Sequence, residues 1–302
     1  MSASFALALR AAHEVAAAQH YPQGALYVVA TPIGNLADIS LRALHLLSLV
    51  DAIACEDTRH TQSLLRAYGL ERPGAQLLAA HQHNEAEAAQ ALLVRLREGQ
   101  RVAYVSDAGT PALSDPGARL VDAARAAGFA VVPLPGASSV TAALSVAGIA
   151  EDVGFVFAGF LPAKAGERDA AVQALAGERR AVVLLEAPHR IEALARALAP
   201  LGPRAVTVGR ELTKQFEEIA TVPADTLPAW LAEQTTRTRG EFALVLHPMP
   251  AQPSAGPDLH VLQLLMAELP LKTAVKLAAQ ITGQPRNGLY AQALSLQAAP
   301  GP

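Results

Sequence analysis

A short run, CEDTRHT at residues 55–61, sets Glu56, Asp57, Arg59 and His60 within five positions. Carboxylates beside cations can accept a proton from a substrate and orient a hydroxyl or an anion. The plainer reading is a helix start, with Asp57 or Thr58 as the cap and Arg59 in solvent. Capping by one residue leaves the others free for chemistry. Four further runs carry polar side chains just beyond apolar stretches. HQHNE (81–85) offers His81 and His83, with Asn84 as a helix cap. FLPAK (160–164) ends on Lys164. LEAPHR (185–190) holds Glu186, His189 and Arg190, and its Pro188 suits a first helical turn. GRELTKQFEE (209–218) offers Arg210, Glu211 and Lys214, while Glu217 and Glu218 read as surface charges. Cys55 is the single cysteine, so no internal disulfide forms, and a buried thiol is the expectation. No Cys/His group has zinc-ligand spacing, so no metal is expected.

Three loops are rich in Gly with Pro, Ser or Thr: TPIGNLADIS (31–40), SDAGTPALSDPG (106–117) and PGASS (135–139). Such loops turn tightly and bring backbone amides close to a ligand. PGASS also opens a helix, where unpaired amides favour a carboxylate. The dinucleotide fingerprint GxGxxG and the phosphate loop GxxxxGK[ST] are both absent, which disfavours an oxidoreductase or a P-loop enzyme.

Among the elements that must position these residues, apolar runs alternate with amphipathic segments. Strands are expected at 26–31, 51–57, 76–81, 101–107 and 129–135. Helices are expected at 40–50, 61–70, 84–99 and 117–128. That alternation implies parallel βαβ units with right-handed crossovers. The pattern restarts with helices at 138–148, 167–177, 189–202 and 224–234 and strands at 155–161, 181–187, 205–212 and 241–248. The three loops then fall at the carboxyl ends of strands, where open α/β sheets bind ligands. Polar runs from both halves gather there too, which implies a cleft between two domains. The expected division is an Ala-rich extension (1–23), a first α/β/α domain (24–133), a second (134–250), and a linker with a helical extension (251–302). The segment MPAQPSAGP (249–257) reads as the linker.

Hydrophobic residues make up 51% and charged residues 17%, enough for a large core and too few charges for a disordered chain. Arg10, His13 and Glu14 interrupt the first apolar run, so a signal peptide is not expected. No membrane span is expected either, and the cytoplasm is the expected compartment. The formal charge of −3 argues against holding nucleic acid mainly by phosphate neutralisation. Charge alone favours a small-molecule or protein substrate.

In order along the chain stand ATPIGNLADISLRAL, ACEDTRHT, VSDAGTPALSDPG, VVPLPG, GFLP, EAPHR, RELTK and GEFALVL. Together they resemble the bacterial RsmI-type cytidine-2'-O-methyltransferases of small-subunit ribosomal RNA, within the tetrapyrrole methylase superfamily. The likeness spans 24–248, and KTAVKLAAQITGQPRNGLY resembles the C-terminal extension of that family. The resemblance implies two α/β/α domains of tetrapyrrole-methylase type plus a C-terminal helical extension. It implies S-adenosylmethionine between the domains, a homodimer, and a decoding-centre cytidine of 16S rRNA on the small ribosomal subunit, with no DNA or membrane partner. By analogy the cofactor residues are Pro32, Ile33 and Gly34; Ser106, Asp107, Ala108, Gly109, Thr110 and Pro111, with neighbours to Gly117; and Gly136, Ala137, Ser138 and Ser139. For a ribose hydroxyl the proton acceptor is then Glu56 or Asp57, with Arg59 orienting the ribose or phosphate. His60, Lys164, Glu186, His189, Arg190, Arg210, Glu211 and Lys214 are the substrate-side candidates. Arg168 and the tail residues Lys272, Lys276 and Arg286 are further phosphate candidates. Leu185 stands where many relatives carry an aromatic residue. A methylase of porphyrin or corrin precursors, and a non-catalytic ribosome-assembly factor, are the competing readings.

Overall fold

The computed structural model describes residues 5–81, 83–150, 154–249 and 259–298. The chain divides into two compact units, Met1–Pro248 and Met249–Pro302. The first unit holds two five-stranded sheets.

The first sheet contains β1 (Ala25–Val29), β2 (Ala52–Cys55), β3 (Leu77–Ala79), β4 (Val102–Val105) and β5 (Ala130–Leu134). Its order is β3-β2-β4-β1-β5, and every pairing is parallel. Alternate side chains of a strand point to opposite faces, and the two faces here carry different helices. Tyr27, Val29, Ile53, Cys55, Ala103 and Val105 pack beneath α2 (Leu41–Leu49) and α3 (Thr58–Ala67). Leu26, Ala52, Ala54, Val102 and Tyr104 pack beneath α4 (Glu85–Arg97) and α5 (Gly117–Ala126). Burial on both faces explains why these strands read as continuous apolar runs. Ser40 caps α2 by accepting from Ala43 N at 3.1 Å. The Ala-rich N-terminal segment forms a helix that the sequence pattern did not specify, α1 (Ala6–Ala16). It buries Ala12 against Leu44 and Tyr68.

The second sheet contains β6 (Phe155–Gly159), β7 (Ala181–Glu186), β8 (Ala205–Arg210), β9 (Glu218–Pro223) and β10 (Phe242–Leu246). Its order is β6-β7-β10-β8-β9. The restarted alternation does not extend to an all-parallel sheet. β10 inserts between β7 and β8 and runs antiparallel to both, and β9 is antiparallel to β8. The N-terminal end of β10 therefore lies beside the carboxyl ends of β7 and β8, with Phe242 opposite Glu186 and Arg210. α6 (Ser139–Val146) covers one face, while α7 (Ala165–Ala176), α8 (Ile191–Leu198) and α9 (Leu227–Ala232) cover the other.

β9 replaces the surface stretch expected around Glu217 and Glu218. Glu218 is no free surface charge. It pairs with Arg210 Nε at 3.2 Å and Arg237 Nε at 2.8 Å, and Arg237 stacks 4.1 Å above the Trp230 ring. The third helix begins at Thr58 rather than 61, because Asp57 caps it.

The second unit is a three-helix cluster of α10 (Leu259–Glu268), α11 (Leu271–Thr282) and α12 (Arg286–Ala298) around Leu262, Val275, Ala278, Leu289 and Ala293. Leu289, Ala293 and Leu296 set the apolar face of α12 at helical spacing. The expected linker at 249–257 falls, apart from Met249, outside the described residues.

Candidate functional site

The three glycine-rich loops meet at the carboxyl edge of the first sheet. Thr31 and Gly109 exchange both backbone hydrogen bonds, at 2.9 and 3.0 Å, so the first two loops are zipped together. Thr31 Oγ1 also donates to Ser106 O at 3.3 Å. Thr110 Oγ1 donates to Ala137 O at 3.1 Å and ties in the third loop. Asp115 pins the far end of the second loop. Its Oδ1 accepts from Tyr104 Oη at 2.7 Å and Gly117 N at 2.8 Å, and its Oδ2 accepts from Ala112 N at 2.7 Å. Ala112 sits at φ 67°, a conformation that non-glycine residues adopt only when surroundings enforce it. Gly117 is required by close approach, since a Cβ there would lie 2.0 Å from Tyr104 Cε1.

These loops form one side of a cavity of about 370 Å³, within the range of small-molecule sites. The other side is the α6-bearing face of the second sheet, with Phe157, Leu185, Gly209, Leu212 and Ala243, together with Phe242 at the start of β10. Of the cofactor candidates, Ile33, Ser106, Asp107, Ala108, Gly109, Thr110, Ser138 and Ser139 line this space. Pro32 and Pro111 are buried, and Gly34, Gly136 and Ala137 lie in the loops outside the lining, Ala137 accepting from Thr110. A Cβ on Gly136 would meet Ala30 Cβ at 2.9 Å. At Gly34 (φ +155°) it would meet Lys214 Cγ at 2.3 Å, so that glycine lets Lys214 lie across the first loop.

The acidic run separates into two parts. Glu56 lines the cavity, and burial together with the charges of Asp115 and Asp107 raises its pKa above the usual carboxylate value. Asp57 is outside the lining and fully exposed. It accepts from Arg59 N at 2.7 Å and His60 N at 3.2 Å, and those two hydrogen bonds hold its pKa below the ordinary value. The helix-cap reading is therefore the one that fits Asp57, and its lowered basicity argues against a proton-accepting role. Arg59 and His60 are exposed, and neither borders the cavity.

Lys214 borders the cavity with its Nζ 2.8 Å from Glu211 Oε1 and 3.0 Å from Glu241 Oε2. Burial would lower its pKa, but these two partners outweigh that and raise it. Glu211 shows the opposite balance: burial pushes up, Lys214 and the Glu241 N–H pull down, and the net direction is down. Glu211 and Thr213 both take left-handed backbone, at φ 51° and 67°.

Several substrate-side candidates are otherwise engaged. Arg210 is 8% exposed and donates to Phe216 O at 3.0 Å besides its pairing with Glu218. Glu186 borders the cavity, but its side chain has 0% exposure and accepts from Ala187 N at 2.9 Å. Its Oε1 also lies 3.0 Å from Arg190 Nε, and Arg190 donates to Leu161 O. Strand parity explains this, because Glu186 points with Val182 and Leu184 toward the α7–α8 face. Arg168 is buried and donates to Ala163 O. Lys164 and His189 are exposed outside the lining, Lys164 paired with Glu167 at 3.0 Å. Leu113 lines the space from within the expected stretch to Gly117, while sequence reasoning missed Val140, Phe157, Phe160, Leu212, Glu241, Phe242 and Ala243. For Phe157 and Ala243 the signal available was the even-odd parity of β6 and β10, which puts both on the α6-bearing face; the others lie off the strands or, like Phe242, on the opposite parity.

The tetrapyrrole (corrin/porphyrin) methylase family model matches residues 25–228, and the RsmI C-terminal HTH domain model matches 252–297. A protein named ribosomal RNA small subunit methyltransferase I from Escherichia coli is 48% identical over 279 residues, covering 91% of this chain and 96% of its own. The chain belongs to the tetrapyrrole methylase family, in its ribosomal RNA small subunit methyltransferase I branch. The protein of the same name from Pseudomonas aeruginosa is also 48% identical, with 91% and 98% covered. This methylase shares its fold with solved relatives of low identity. Cobalt precorrin-4 methyltransferase aligns at TM-score 0.53 and 20% identity, over 75% of this chain and 98% of that one. Diphthine synthase aligns at 0.57 and 15%, over 74% and 90%. A uroporphyrin-III C-methyltransferase from Thermus thermophilus, solved with S-adenosyl homocysteine, aligns at 0.50 and 18%, over 73% and 96%. Among the described residues, no helix of this family member is long and apolar enough to cross a membrane.

Proposed function

We propose that this protein is an S-adenosylmethionine-dependent methyltransferase that methylates the ribose 2'-hydroxyl of a decoding-centre cytidine in 16S rRNA. The reading draws its substrate class from the relatives named above and its chemistry from the cavity. One observation carries it: a titratable carboxylate, Glu56, borders a cavity walled by three backbone-rich loops. We place the assembled small ribosomal subunit as substrate, a homodimer as the working form and the cytoplasm as the compartment. The division into 24–133, 134–250 and 251–302 belongs to the same proposal.

The cavity suits such a donor. The zipped loops present Ser106–Thr110 and Ser138–Ser139 to it, while Glu56, Asp107 and Asp115 favour a cationic group. When bound, S-adenosylmethionine supplies an electrophilic methyl group on a sulfonium. The protein's own part is alignment and proton removal. The loops and the apolar wall fix the reactants and exclude water. Glu56 would accept the proton of the ribose hydroxyl while that oxygen takes the methyl carbon and the carbon–sulfur bond breaks, the sulfur leaving as a neutral thioether. Its raised pKa makes it a better acceptor than Asp57. Asp115 holds the loop that faces it.

Mass mapping of ribose methylation on 16S rRNA tests the reading, using cells with and without this protein. One cytidine loses its methyl group when the protein is absent. An unchanged map would refute the assignment.

A further inference from the structure

Phe160 is an aromatic ring at the cavity that core packing does not explain. It lines the space and is 53% exposed. The backbone beneath it is built to aim it. β6 pairs in register with β7 through Phe157, and the register then shifts between Phe157 and Gly159. Gly159 takes φ +63°, a left-handed conformation that ends the strand and turns the chain at Phe160. Bulges recur beside active sites because they re-aim a side chain. Leu113 of the second loop is likewise exposed, at 52%, and lines the same space.

The charges that border the cavity are the second observation. Among the described residues, Glu186 is paired with Arg190 and turned to the α7–α8 face, which leaves the acids Glu56, Asp107, Asp115 and Glu241 and one cation. That cation, Lys214, is already paired with Glu211 and Glu241. Such a space repels phosphates, so a nucleotide cannot be held there by its backbone alone. Enzymes that work on a nucleotide inside folded RNA take it out of its stack and rest the base on an aromatic or apolar surface. Stacking needs no cation.

We propose that Phe160, together with Leu113, is the platform on which the unstacked base of the target nucleotide rests. This rests on the RNA-methyltransferase reading and adds how the protein holds its substrate. Phe160 is then a positioning residue: its face fixes the base, and the base carries the ribose hydroxyl toward Glu56.

The test compares full-length wild type with Phe160→Ala, Phe160→Leu and Phe160→Tyr on small ribosomal subunits lacking the modification. Phe160→Ala and Phe160→Leu raise KM for the subunit about tenfold or more, the scale of one missing base–aromatic stack. Phe160→Tyr, which keeps the ring, stays near wild type. The affinity for S-adenosylmethionine and the unfolding temperature stay unchanged in all three. Leu keeps bulk and apolarity without a flat face, so its failure beside the success of Tyr separates stacking from packing. Equal KM in all variants overturns the proposal. Weakened donor binding overturns it too, since the ring would then serve the donor's adenine. A changed oligomeric state would assign Phe160 to a subunit interface and also overturn it. If wild type itself methylates no ribosomal RNA, the failure belongs to the functional reading, not to the platform.

Discussion

At the scale of single residues, neighbouring carboxylates part company because their surroundings differ. Glu56 is desolvated and repelled by Asp107 and Asp115, whereas Asp57 is stabilised as a helix cap. Glu56→Gln lowers kcat about a hundredfold or more in single-turnover methylation, the usual scale for a missing general base. A base must be unprotonated, so the wild-type rate falls as pH drops through the raised Glu56 pKa. That acid limb lies above the ordinary carboxylate value and disappears in Glu56→Gln. Stability moves the other way. A carboxylate whose folded pKa is raised opposes folding increasingly as pH climbs above its unfolded value. Glu56→Gln is therefore the more stable protein at neutral pH in urea unfolding, and equal midpoints would contradict the environment described. Asp57→Asn keeps a good cap and near-normal turnover. Asp57→Ala loses the cap and lowers the unfolding midpoint, and a large loss of kcat in Asp57→Asn would return Asp57 to the chemistry.

At the scale of elements, the second half is held by buried arginines rather than by apolar packing alone. Arg204, 4% exposed, donates to His247 O at 2.7 Å, Leu175 O at 2.8 Å and Glu178 O at 2.9 Å. It thus joins the C-terminal end of α7 to the segment that follows β10. Removing it leaves several half-buried carbonyls without their donor, each at part of the cost of an unmade hydrogen bond. Arg204→Ala costs about 3 kcal/mol in denaturant unfolding, and Arg204→Lys recovers only part, because one ammonium cannot reach three directions. A loss under about 0.5 kcal/mol, the ordinary surface range, would show that water replaces the guanidinium.

At the scale of the whole molecule, net charge and substrate pull in opposite directions. The chain carries −3 and its cavity is acidic. The described helices of the second unit run the other way, with Lys272, Lys276 and Arg286 against the single acid Glu268. A protein of this balance binds an RNA by shape and local cations rather than by a basic surface. Assembled small subunits are methylated at least tenfold faster than naked 16S rRNA. Changing Lys272, Lys276 and Arg286 to Gln flattens the salt dependence of subunit binding by about 0.7–0.9 in log–log slope for each phosphate that is no longer neutralised. Equal rates on naked and assembled RNA would remove the first expectation, and an unchanged slope the second.

Much of this architecture is legible along the chain because its signals are local. Fully buried parallel strands leave continuous apolar runs such as 26–31 and 101–107, and Gly/Pro/Ser loops advertise the turns between them. The three loops and CEDTRHT therefore stand out before any folding is considered. What tertiary structure alone decides is partnership between distant segments. Antiparallel insertion of β10 brings Phe242 and Ala243 to the cavity from far downstream. Strand parity turns the Glu186 carboxylate toward Arg190 and the α7–α8 face although the residue borders the cavity, and β9 converts Glu218 from a surface charge into the partner of Arg210 and Arg237. Lys214 needs Gly34, far earlier in the chain, in order to lie where it does. Local periodicity is written in neighbouring residues and survives in the sequence. Strand direction, ion pairing and the sharing of one cavity depend on which surfaces meet, and only the folded chain brings those surfaces together.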